Sequence, residues 1–256
     1  MNWIKFLGTS GGRFVLINQL RKTGGTWLNI DNTNILIDPG PGTLTRCHKS
    51  RPKLNPRDLD AIILTHKHLD HSNDVNLMIE AMTNGGWDKK GVLFAPSDAL
   101  NDDPVVLHHF RDKVDKIVKL EEKGEYNIGN ISFKTPVKHI HGVETYGLNI
   151  FSKENKISII SDTKYFKGLE DFYKGDVLIL NIVMHQGKDH ILHLDVKDAE
   201  KIISKNKPKV CIITHFGMTM VKAKPWEIAE NLSEKTGVKV VAASDGMQLN
   251  LDEYKK

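Results

Sequence analysis

The sequence is poor in cysteine and lacks any long apolar run. Its 256 residues include two cysteines, Cys47 and Cys211, which lie far apart. Cys211 falls within the apolar run of residues 210–213, where a buried core thiol is more typical than half of a disulfide. No stretch approaches the roughly 18 apolar residues of a membrane-spanning helix, and the N-terminus lacks the charged and apolar regions of a signal peptide. These absences predict a cytoplasmic protein that does not contact a membrane.

Charge is not concentrated in any one segment either. The 36 Lys and Arg residues outnumber the 32 Asp and Glu residues, which gives a net charge of +4. The cationic residues are scattered, and this argues against a patch for nucleic acid or for an anionic membrane. We therefore expect a small-molecule partner and regard nucleic acid as the less favoured one. Without any linker, repeat or low-complexity tract, residues 1–256 are expected to form a single domain.

A histidine-rich segment follows the apolar run of residues 61–64. It contains His66, His68, Asp70 and His71, whose side chains all bind divalent metals. In an extended segment alternate side chains share one face, so His66 and His68 can reach one ion. Asp70 and His71 then remain for a second ion. A metal-binding loop is expected here, because so many ionisable side chains beside a buried strand are costly without a metal.

The residues around this segment suggest how it is held. Leu69 is expected to anchor the loop inward. Residues 72–84 follow, and their apolar side chains recur at helical spacing on one face, namely Val75, Met78, Ile79 and Met82. The pattern predicts a helix packed back onto the strand of residues 61–64.

The remaining elements are predicted from apolar runs, alternation and turn residues. Strands are expected at residues 3–7, 27–30, 35–37, 92–95, 116–120, 131–137, 157–160, 176–182, 210–213, 238–242 and 247–251. Further helices are expected at residues 104–114, after Asp195 and from Pro225 onward. Residues 85–126 are the hardest part to interpret, and the pattern leaves open whether they form a lid.

A glycine-rich segment, residues 8–13, follows the first predicted strand. Glycines there allow close backbone approach, but no Lys-Ser or Lys-Thr pair follows, so the segment is not a phosphate-binding P-loop. Arg13 and Arg21 near this segment are candidates for phosphate binding, and ordinary surface arginines are an equal alternative.

Further histidines lie downstream. His139 and His141 would share one face of an extended segment, so their position alone does not choose between them. The adjacent His108 and His109 face different directions on a helix and are poor joint ligands. His185 and His190 are interpreted as surface residues.

The spacing His66-x-His68-x-Asp70-His71 resembles the signature of the metallo-β-lactamase-fold hydrolases. The resemblance implies an α/β fold, specifically a four-layer αβ/βα sandwich. It also implies a set of ligands: His66, His68 and His141 for one ion, Asp70, His71 and His215 for the other, and Asp162 as the bridge. His141 is chosen over His139 because the family's aromatic-glycine pair follows it, here as Tyr146 and Gly147.

The resemblance also concerns Asp38 and the metals. In this family an aspartate at such a strand end lies under the metal loop, so Asp38 is expected to orient a ligand or the loop backbone. A turn aspartate that bonds to its own backbone is the alternative. The donors suit two divalent ions, for which Zn²⁺ is our first choice and Mn²⁺ or Fe would also fit.

His193 suggests the reaction. Together with Asp195 and Ala199 it resembles an element of the phosphodiesterase branch, which includes RNase Z and cyclic-phosphate phosphodiesterases. There the histidine faces the scissile phosphate and binds no metal. The resemblance therefore implies hydrolysis of a small phosphodiester, such as a nucleotide or cyclic phosphate, by a metal-bridging hydroxide, with His193 protonating the leaving oxygen or binding a phosphoryl oxygen.

Other functions remain open at this point. A thioester or lactone hydrolase would use the same metals. An RNA-processing nuclease is less favoured, since the sequence lacks the long Gly/Pro-rich arm with which RNase Z grips transfer RNA. His68 stands where a flavodiiron oxidoreductase would have Glu, and a non-catalytic module would be expected to have lost ligands. A homodimer is considered beside a monomer.

Overall fold

Two seven-stranded sheets form the frame of the computed structural model, which describes residues 1–101 and 103–255. In the first sheet six strands lie side by side in chain order: β1 (Trp3–Phe6), β2 (Thr26–Ile30), β3 (Thr33–Ile37), β4 (Ala61–Ile63), β5 (Val92–Ala95) and β6 (Lys116–Lys119). The second sheet is also in chain order: β7 (Gly124–Ile128), β8 (Ile131–Thr135), β9 (Leu148–Phe151), β10 (Lys156–Ile160), β11 (Val177–Asn181), β12 (Val210–Thr214) and β13 (Val240–Ala242). The last strand, β14 (Gln248–Asn250), returns to the first sheet and pairs with β1.

The two sheets have the same internal layout. In the first, β1 to β3 are antiparallel and β3 to β6 are parallel. In the second, β7 to β10 are antiparallel and β10 to β13 are parallel. Each sheet therefore has a set of parallel strands whose carboxyl ends lie at one edge, which is where open α/β sheets place their functional loops.

Helices cover the outer faces of the sheets. The α-helices are α1 (Arg13–Ile17), α2 (Thr43–Lys49), α3 (Leu69–Ser72), α4 (Val75–Met82), α5 (Ser97–Leu100), α6 (Val196–Asn206), α7 (Met218–Lys222) and α8 (Pro225–Thr236). Short 3-10 helices lie at Pro56–Asp58, Asn84–Gly86, His108–Lys113, Leu169–Phe172 and Leu251–Tyr254. Within the described residues no helix is long and apolar enough to cross a membrane.

Alternation along the strands produces the layers. In and just after β4, Ala61 and Ile63 join a core between the two sheets, whereas Ile62 and Leu64 join a second core under the helices. Strand β12 does the same on the other side, with Ile212 in the central core and Cys211 in the outer one. Because both faces are covered, β4 is apolar throughout and β12 is apolar up to Thr214 at its carboxyl end. The predicted four-layer αβ/βα sandwich is confirmed.

Two helices begin where the sequence indicates. Asp195 caps α6, since its side chain accepts a hydrogen bond from the backbone N–H of Asp198 and the Asp198 side chain accepts one in return. Pro225 occupies the first turn of α8, and Gly237 ends that helix in the left-handed conformation. Both helices are stabilised by local features that the sequence already displays.

The difficult stretch from residue 85 to residue 126 is the main place where the prediction was incomplete. Its predicted strands β5 and β6 extend the first sheet, and β7, which was not predicted, starts the second. The helix predicted at residues 104–114 is wrong, because only the 3-10 helix His108–Lys113 forms there. His108 and His109 are exposed on it. Outside this stretch, strand β9 was not predicted from the sequence. The helix that was predicted to start at residue 72 begins at Val75 instead.

Phe133 provides a test of the central core. Its buried ring contacts Phe94 of the first sheet edge-on, with centroids 5.0 Å apart, and stacks on Tyr126 at 4.9 Å. Replacing Phe133 by Ala should lower the free energy of unfolding by about 3–5 kcal/mol, because the ring leaves a cavity between the sheets. Denaturant unfolding measures this loss. As the control, Trp87→Ala at an 89 % exposed position should change stability by less than about 0.5 kcal/mol. Equal effects of the two changes would contradict the assignment of Phe133 to the core.

Candidate metal centre

Five loops bring the site together at the carboxyl edge of the sheets. Asp38 follows β3, the histidine-rich segment follows β4, Asp162 follows β10 and His215 follows β12. The fifth loop, between β8 and β9, carries His141. Both sheets thus contribute side chains to one cluster, as the parallel layout of each sheet requires.

The Asp162 carboxylate lies at the centre of this cluster. Its side chain is 2 % exposed, and its Oδ1 atom accepts a hydrogen bond from Asn181 Nδ2 at 2.9 Å. Its Oδ2 atom lies close to five histidine nitrogens: His215 Nε2 at 3.4 Å, His71 Nε2 at 3.5 Å, His193 Nδ1 at 3.5 Å, His66 Nε2 at 3.9 Å and His141 Nε2 at 4.0 Å. This one oxygen atom therefore lies within 4.0 Å of nitrogens from several candidate ligands.

The histidines also shape the protonation of the cluster. Burial would raise the pKa of the Asp162 carboxyl, but His215, His71 and His193 hold it well below its usual range. Burial would lower the pKa of His71, yet the carboxylates of Asp162, Asp70 and Asp38 raise it well above the usual histidine value. Burial and the charge of His71 lower the pKa of His66. The carboxylate oxygens therefore favour positive charge, on a histidine or on a bound cation, at the centre of the cluster.

The candidate ligands form two groups, and Asp162 belongs to two further groups that could hold an ion, one with His66 and His71 and the other with His141 and His193. His66, His68 and His141 offer ligand atoms within 4.8 Å of one another, and so do Asp70, His71 and His215. In the first group His68 Nδ1 lies 3.0 Å from His141 Nε2, and in the second His71 Nε2 lies 3.2 Å from His215 Nε2. These are the groups that the family resemblance implies. Their binding of metal stays a prediction.

The side chains fit divalent cations. Zinc bound at 2.0–2.1 Å to two nitrogens in a tetrahedron separates those nitrogens by roughly 3.3 Å, close to the distances within the two groups. His66 Nε2 is fully buried and has no hydrogen-bond partner among the described residues. An orphaned buried nitrogen facing other nitrogens and a carboxylate is costly unless a cation lies between them. The donor set therefore fits a pair of metal ions.

Hydrogen bonds behind the histidines set their tautomers. His71 Nδ1 lies 3.0 Å from Asp38 Oδ2, and His141 Nδ1 lies 3.0 Å from the carbonyl oxygen of Leu192. Each Nδ1–H donates to its acceptor, so each Nε2 points into the cluster, where it would offer a lone pair to a cation bound in place of a proton. Second partners of this kind are typical of histidines that bind metals.

Thr65 completes this network. Its backbone N–H and its hydroxyl donate to the two oxygens of Asp38, both at 2.7 Å. The hydroxyl oxygen, in turn, lies 3.1 Å from His66 Nδ1, which donates to it, so that His66 Nε2 is the free atom. Asp38 thus contacts both the loop backbone and the ligand His71, and it adopts a positive φ of 52° in doing so. The alternative, a turn aspartate bonded only to its own backbone, does not describe these contacts.

Glycines let the ligand segments pack closely. A side chain at Gly11 would come within 2.1 Å of the His215 carbonyl oxygen, and one at Gly40 within 2.0 Å of the Asp70 carbonyl oxygen. His215 itself has a positive φ of 61°. The glycine-rich segment also binds directly to Asp70, whose Oδ2 accepts a hydrogen bond from Gly12 N at 3.3 Å. The segment therefore supports the ligands, as its glycines suggest.

The two arginines near this segment have different surroundings. Arg21 donates to Thr9 Oγ1 at 2.9 Å, and its guanidinium lies 4.9 Å from the centre of the Phe216 ring. Both contacts brace the segment next to His215. Arg13 is exposed at the start of α1. Neither arginine belongs to the cluster of candidate ligands.

His139 is buried but is not part of the cluster. Its Nδ1 donates to the Asp162 carbonyl oxygen at 3.2 Å, and its Nε2 accepts from the Tyr173 hydroxyl at 2.7 Å. Burial lowers the pKa of His139 to about 4, so the ring is neutral. The structure therefore places His141 among the candidate ligands and uses His139 to hold the strand end that carries Asp162.

Two features were not anticipated from the sequence. Leu69 does not anchor the loop inward, since its side chain is 63 % exposed; the segment turns into α3 at that residue and Leu69 points away. Asn181 donates a hydrogen bond to Asp162, but the sequence analysis did not predict that it belongs to the site. Its place at the carboxyl end of a buried strand is the signal that could have identified it.

The chain is similar in sequence and in fold to known proteins. The family model of the beta-lactamase superfamily domain matches residues 33–216. An uncharacterized protein of Methanocaldococcus jannaschii, MJ1374, is 30 % identical over 97 % of this chain and 94 % of its own. Ribonuclease Z of Nanoarchaeum equitans is 22 % identical over 90 % of this chain and 91 % of its own. The crystal structure of YhfI, a metallo-β-lactamase-fold protein from Bacillus subtilis, has a TM-score of 0.80 at 19 % identity, covering 97 % of this chain and 98 % of its own.

Asp38 offers a test of the support behind the ligands. In an Asp38→Asn variant the amide nitrogen cannot accept a hydrogen bond from the Thr65 hydroxyl or from His71, so both are released. We expect metal affinity to fall about 10–100-fold, as is typical when the partner of a metal-binding histidine is lost. Competition with a chelator measures this. Asp112→Asn, at an exposed position, is the matched control. Equal affinity in the two variants would refute the role of Asp38.

Proposed function

The chain belongs to the beta-lactamase superfamily of metal-dependent hydrolases, and on that basis we propose that it is a phosphodiesterase that acts on a small substrate. We further propose that residues 1–256 form one hydrolase domain. The metal ligands are His66, His68, Asp70, His71, His141, Asp162 and His215, and two Zn²⁺ ions are the cofactor that we favour.

The position of His193 is the observation that carries the proposal. Its Nδ1 atom lies 3.5 Å from Asp162 Oδ2 and has no hydrogen-bond partner among the described residues. Its ring centre is 5.0 Å from that of His141, and the side chain remains 19 % exposed. His193 therefore stands between the candidate ligands and solvent, where a substrate would enter.

A cleft beside His193 provides room for that substrate. It has a volume of about 320 Å³ and is also lined by Tyr165, Ile191 and Lys164. A space of this size suits a small molecule. The ring of His193 forms the boundary between this cleft and the ligand cluster, so it could contact a scissile bond held there.

The chain's own residues then have separate tasks. When bound, two divalent cations would lower the pKa of water and make hydroxide available near neutral pH. Asp162 and the histidines of the cluster would hold those ions, while Asp38 and Thr65 fix the histidine tautomers. Burial lowers the pKa of His193 to about 4, so the free ring is neutral near pH 7 and its N–H binds a phosphoryl oxygen. The negative charge of a bound phosphodiester raises that pKa, and His193 then gives its proton to the leaving oxygen as the phosphorus–oxygen bond breaks and recovers a proton from water. The products are an alcohol and a phosphomonoester.

A small substrate is favoured over folded RNA. Among the described residues the longest segment outside a helix or strand is 182–195, and it lies at the site itself. In the part of the chain that the structure describes, no other segment offers an extended arm for gripping RNA, and the net charge of +4 is modest. The ribonuclease Z relative makes an RNA-processing nuclease the second candidate. Thioester or lactone hydrolysis is the remaining alternative.

His193→Ala tests the proton donor. If His193 protonates the leaving oxygen, turnover should fall roughly 10²–10⁴-fold while metal content stays the same. Steady-state kinetics and metal analysis of the same sample measure both quantities. His190→Ala, at an exposed position in the same segment, is the control and should leave turnover unchanged. Unchanged turnover in His193→Ala would refute this role.

A panel of substrates tests the reaction class. Protein loaded with Zn²⁺ or Mn²⁺ is given bis-p-nitrophenyl phosphate, a thioester, a lactone and a precursor transfer RNA, with Asp162→Ala as the blank. We expect turnover of the phosphodiester that disappears in the variant. Turnover of the thioester or lactone alone would contradict the proposal, and preference for the RNA would favour the nuclease.

A further inference from the structure

A second cleft, strongly cationic, lies away from the metal centre. It has a volume of about 240 Å³ and lies between β1 and the end of α2. Its polar lining consists mainly of Lys5, Arg46, Lys49, Ser50, Arg51 and Asp245. None of these residues belongs to the candidate ligands or to the groups behind them. We propose that this cleft binds a phosphate group, either free phosphate or the terminal phosphate of a nucleotide.

Lys5 is the unusual residue of this cleft. It lies in the middle of β1, alternates with Ile4 and Phe6 of the central core, and is 3 % exposed. Its Nζ donates to the Arg51 carbonyl oxygen at 2.9 Å and contacts Gln248 Oε1 at 3.5 Å. Within the described residues no carboxylate forms an ion pair with it. A buried ammonium group without a negative partner is costly.

The other cations are not neutralised either. Arg46 and Lys49 lie in the last turn of α2, and Arg51 follows it. In the part of the chain that the structure describes, none of the three forms an ion pair with a carboxylate. Burial lowers the pKa of Lys5, which is the expected response to a site that lacks an anion.

Asp245, the only carboxylate of the lining, is already engaged. Its Oδ1 accepts hydrogen bonds from Thr9 N at 3.0 Å and Thr9 Oγ1 at 2.7 Å, and its Oδ2 accepts one from Lys22 N at 2.9 Å. Both oxygens are thus already occupied by hydrogen bonds from Thr9 and Lys22. Four cations against one carboxylate leave the cleft with a charge of +3.

Ser50 adds a polar group that has no partner. The residue is 8 % exposed, and its hydroxyl forms no hydrogen bond with the described residues. A buried hydroxyl is normally hydrogen-bonded, so an unpaired one in the lining of a cationic cleft points to a ligand oxygen.

Phosphate is the oxyanion that matches these groups. It offers several acceptor oxygens and carries between one and two negative charges near neutral pH, and arginine binds such oxygens in a bidentate manner. At about 30 Å³ per water molecule, a cleft of about 240 Å³ has the room of roughly eight waters, enough for a phosphate and part of an attached group.

Titration calorimetry of the full-length, metal-loaded protein with inorganic phosphate and with adenosine monophosphate tests the proposal. The measurements are repeated in Asp162→Ala, where the metal centre is disrupted and the cleft is intact. We expect binding in both proteins. An Arg46→Gln/Lys49→Gln double variant should weaken it at least about tenfold, because two charge-assisted contacts with the phosphate are lost. Tighter binding of the nucleotide would identify it as the ligand, and equal binding would identify phosphate itself.

Two further variants keep the test specific. Lys53→Gln removes an exposed charge close by in sequence that does not line the cleft, and it should leave affinity unchanged. Lys5→Met should remove binding without loss of thermal stability, since it replaces a buried charge by an apolar side chain of similar length. Binding that persists in the double variant, or that disappears in Asp162→Ala, would overturn the proposal. Neither result depends on which bond the metal centre hydrolyses.

Discussion

The buried Asp162 carboxylate and the histidines around it impose the constraint on which the site depends. A carboxylate that is 2 % exposed, with five imidazole nitrogens within 4.0 Å of one oxygen, cannot be stable unless positive charge lies among them. The fold satisfies this requirement because the carboxyl ends of several strands lie close together. Because β10 and β12 of one sheet and β3 and β4 of the other are all parallel to a neighbour, their carboxyl ends supply polar side chains at one edge while their apolar residues stay in the cores.

Thr65 connects the two halves of the structure at this edge. Its hydroxyl lies 2.8 Å from the Ser161 hydroxyl, next to Asp162, and its carbonyl oxygen accepts a hydrogen bond from Tyr146 N at 3.1 Å. Thr65 itself follows β4 in the first sheet, whereas Ser161 and Tyr146 belong to loops of the second. One fully buried threonine therefore fixes the distance between the sheets at the point where each contributes ligands. Its small polar side chain is what allows it to contact Asp38 and both loops.

Residues whose pattern is local were predictable from the sequence, and residues whose partners are distant were not. The spacing of Val75, Met78, Ile79 and Met82 predicted a buried helix face, and all four are buried. Strand β9 was missed because Asn149 interrupts its apolar run; Asn149 is satisfied by Phe172 and Ser158, which sequence cannot reveal. The cluster follows the same rule. Its candidate ligands were identified from a spaced motif, whereas Asn181 and Thr65 gain their roles only from contacts with segments that are distant in sequence.

The return of β14 to the first sheet affects how the chain can fold. Strand β1 is an interior strand only because β14 pairs with it, and the two are separated by almost the whole sequence. While the ribosome is still synthesising the second half, β1 presents an open edge of unpaired N–H and C=O groups. Such long-range pairing makes folding slow, and a growing chain with an open edge is prone to associate with other strands. Lys5 on β1 places a charge along that edge during synthesis, which is a feature that discourages such association.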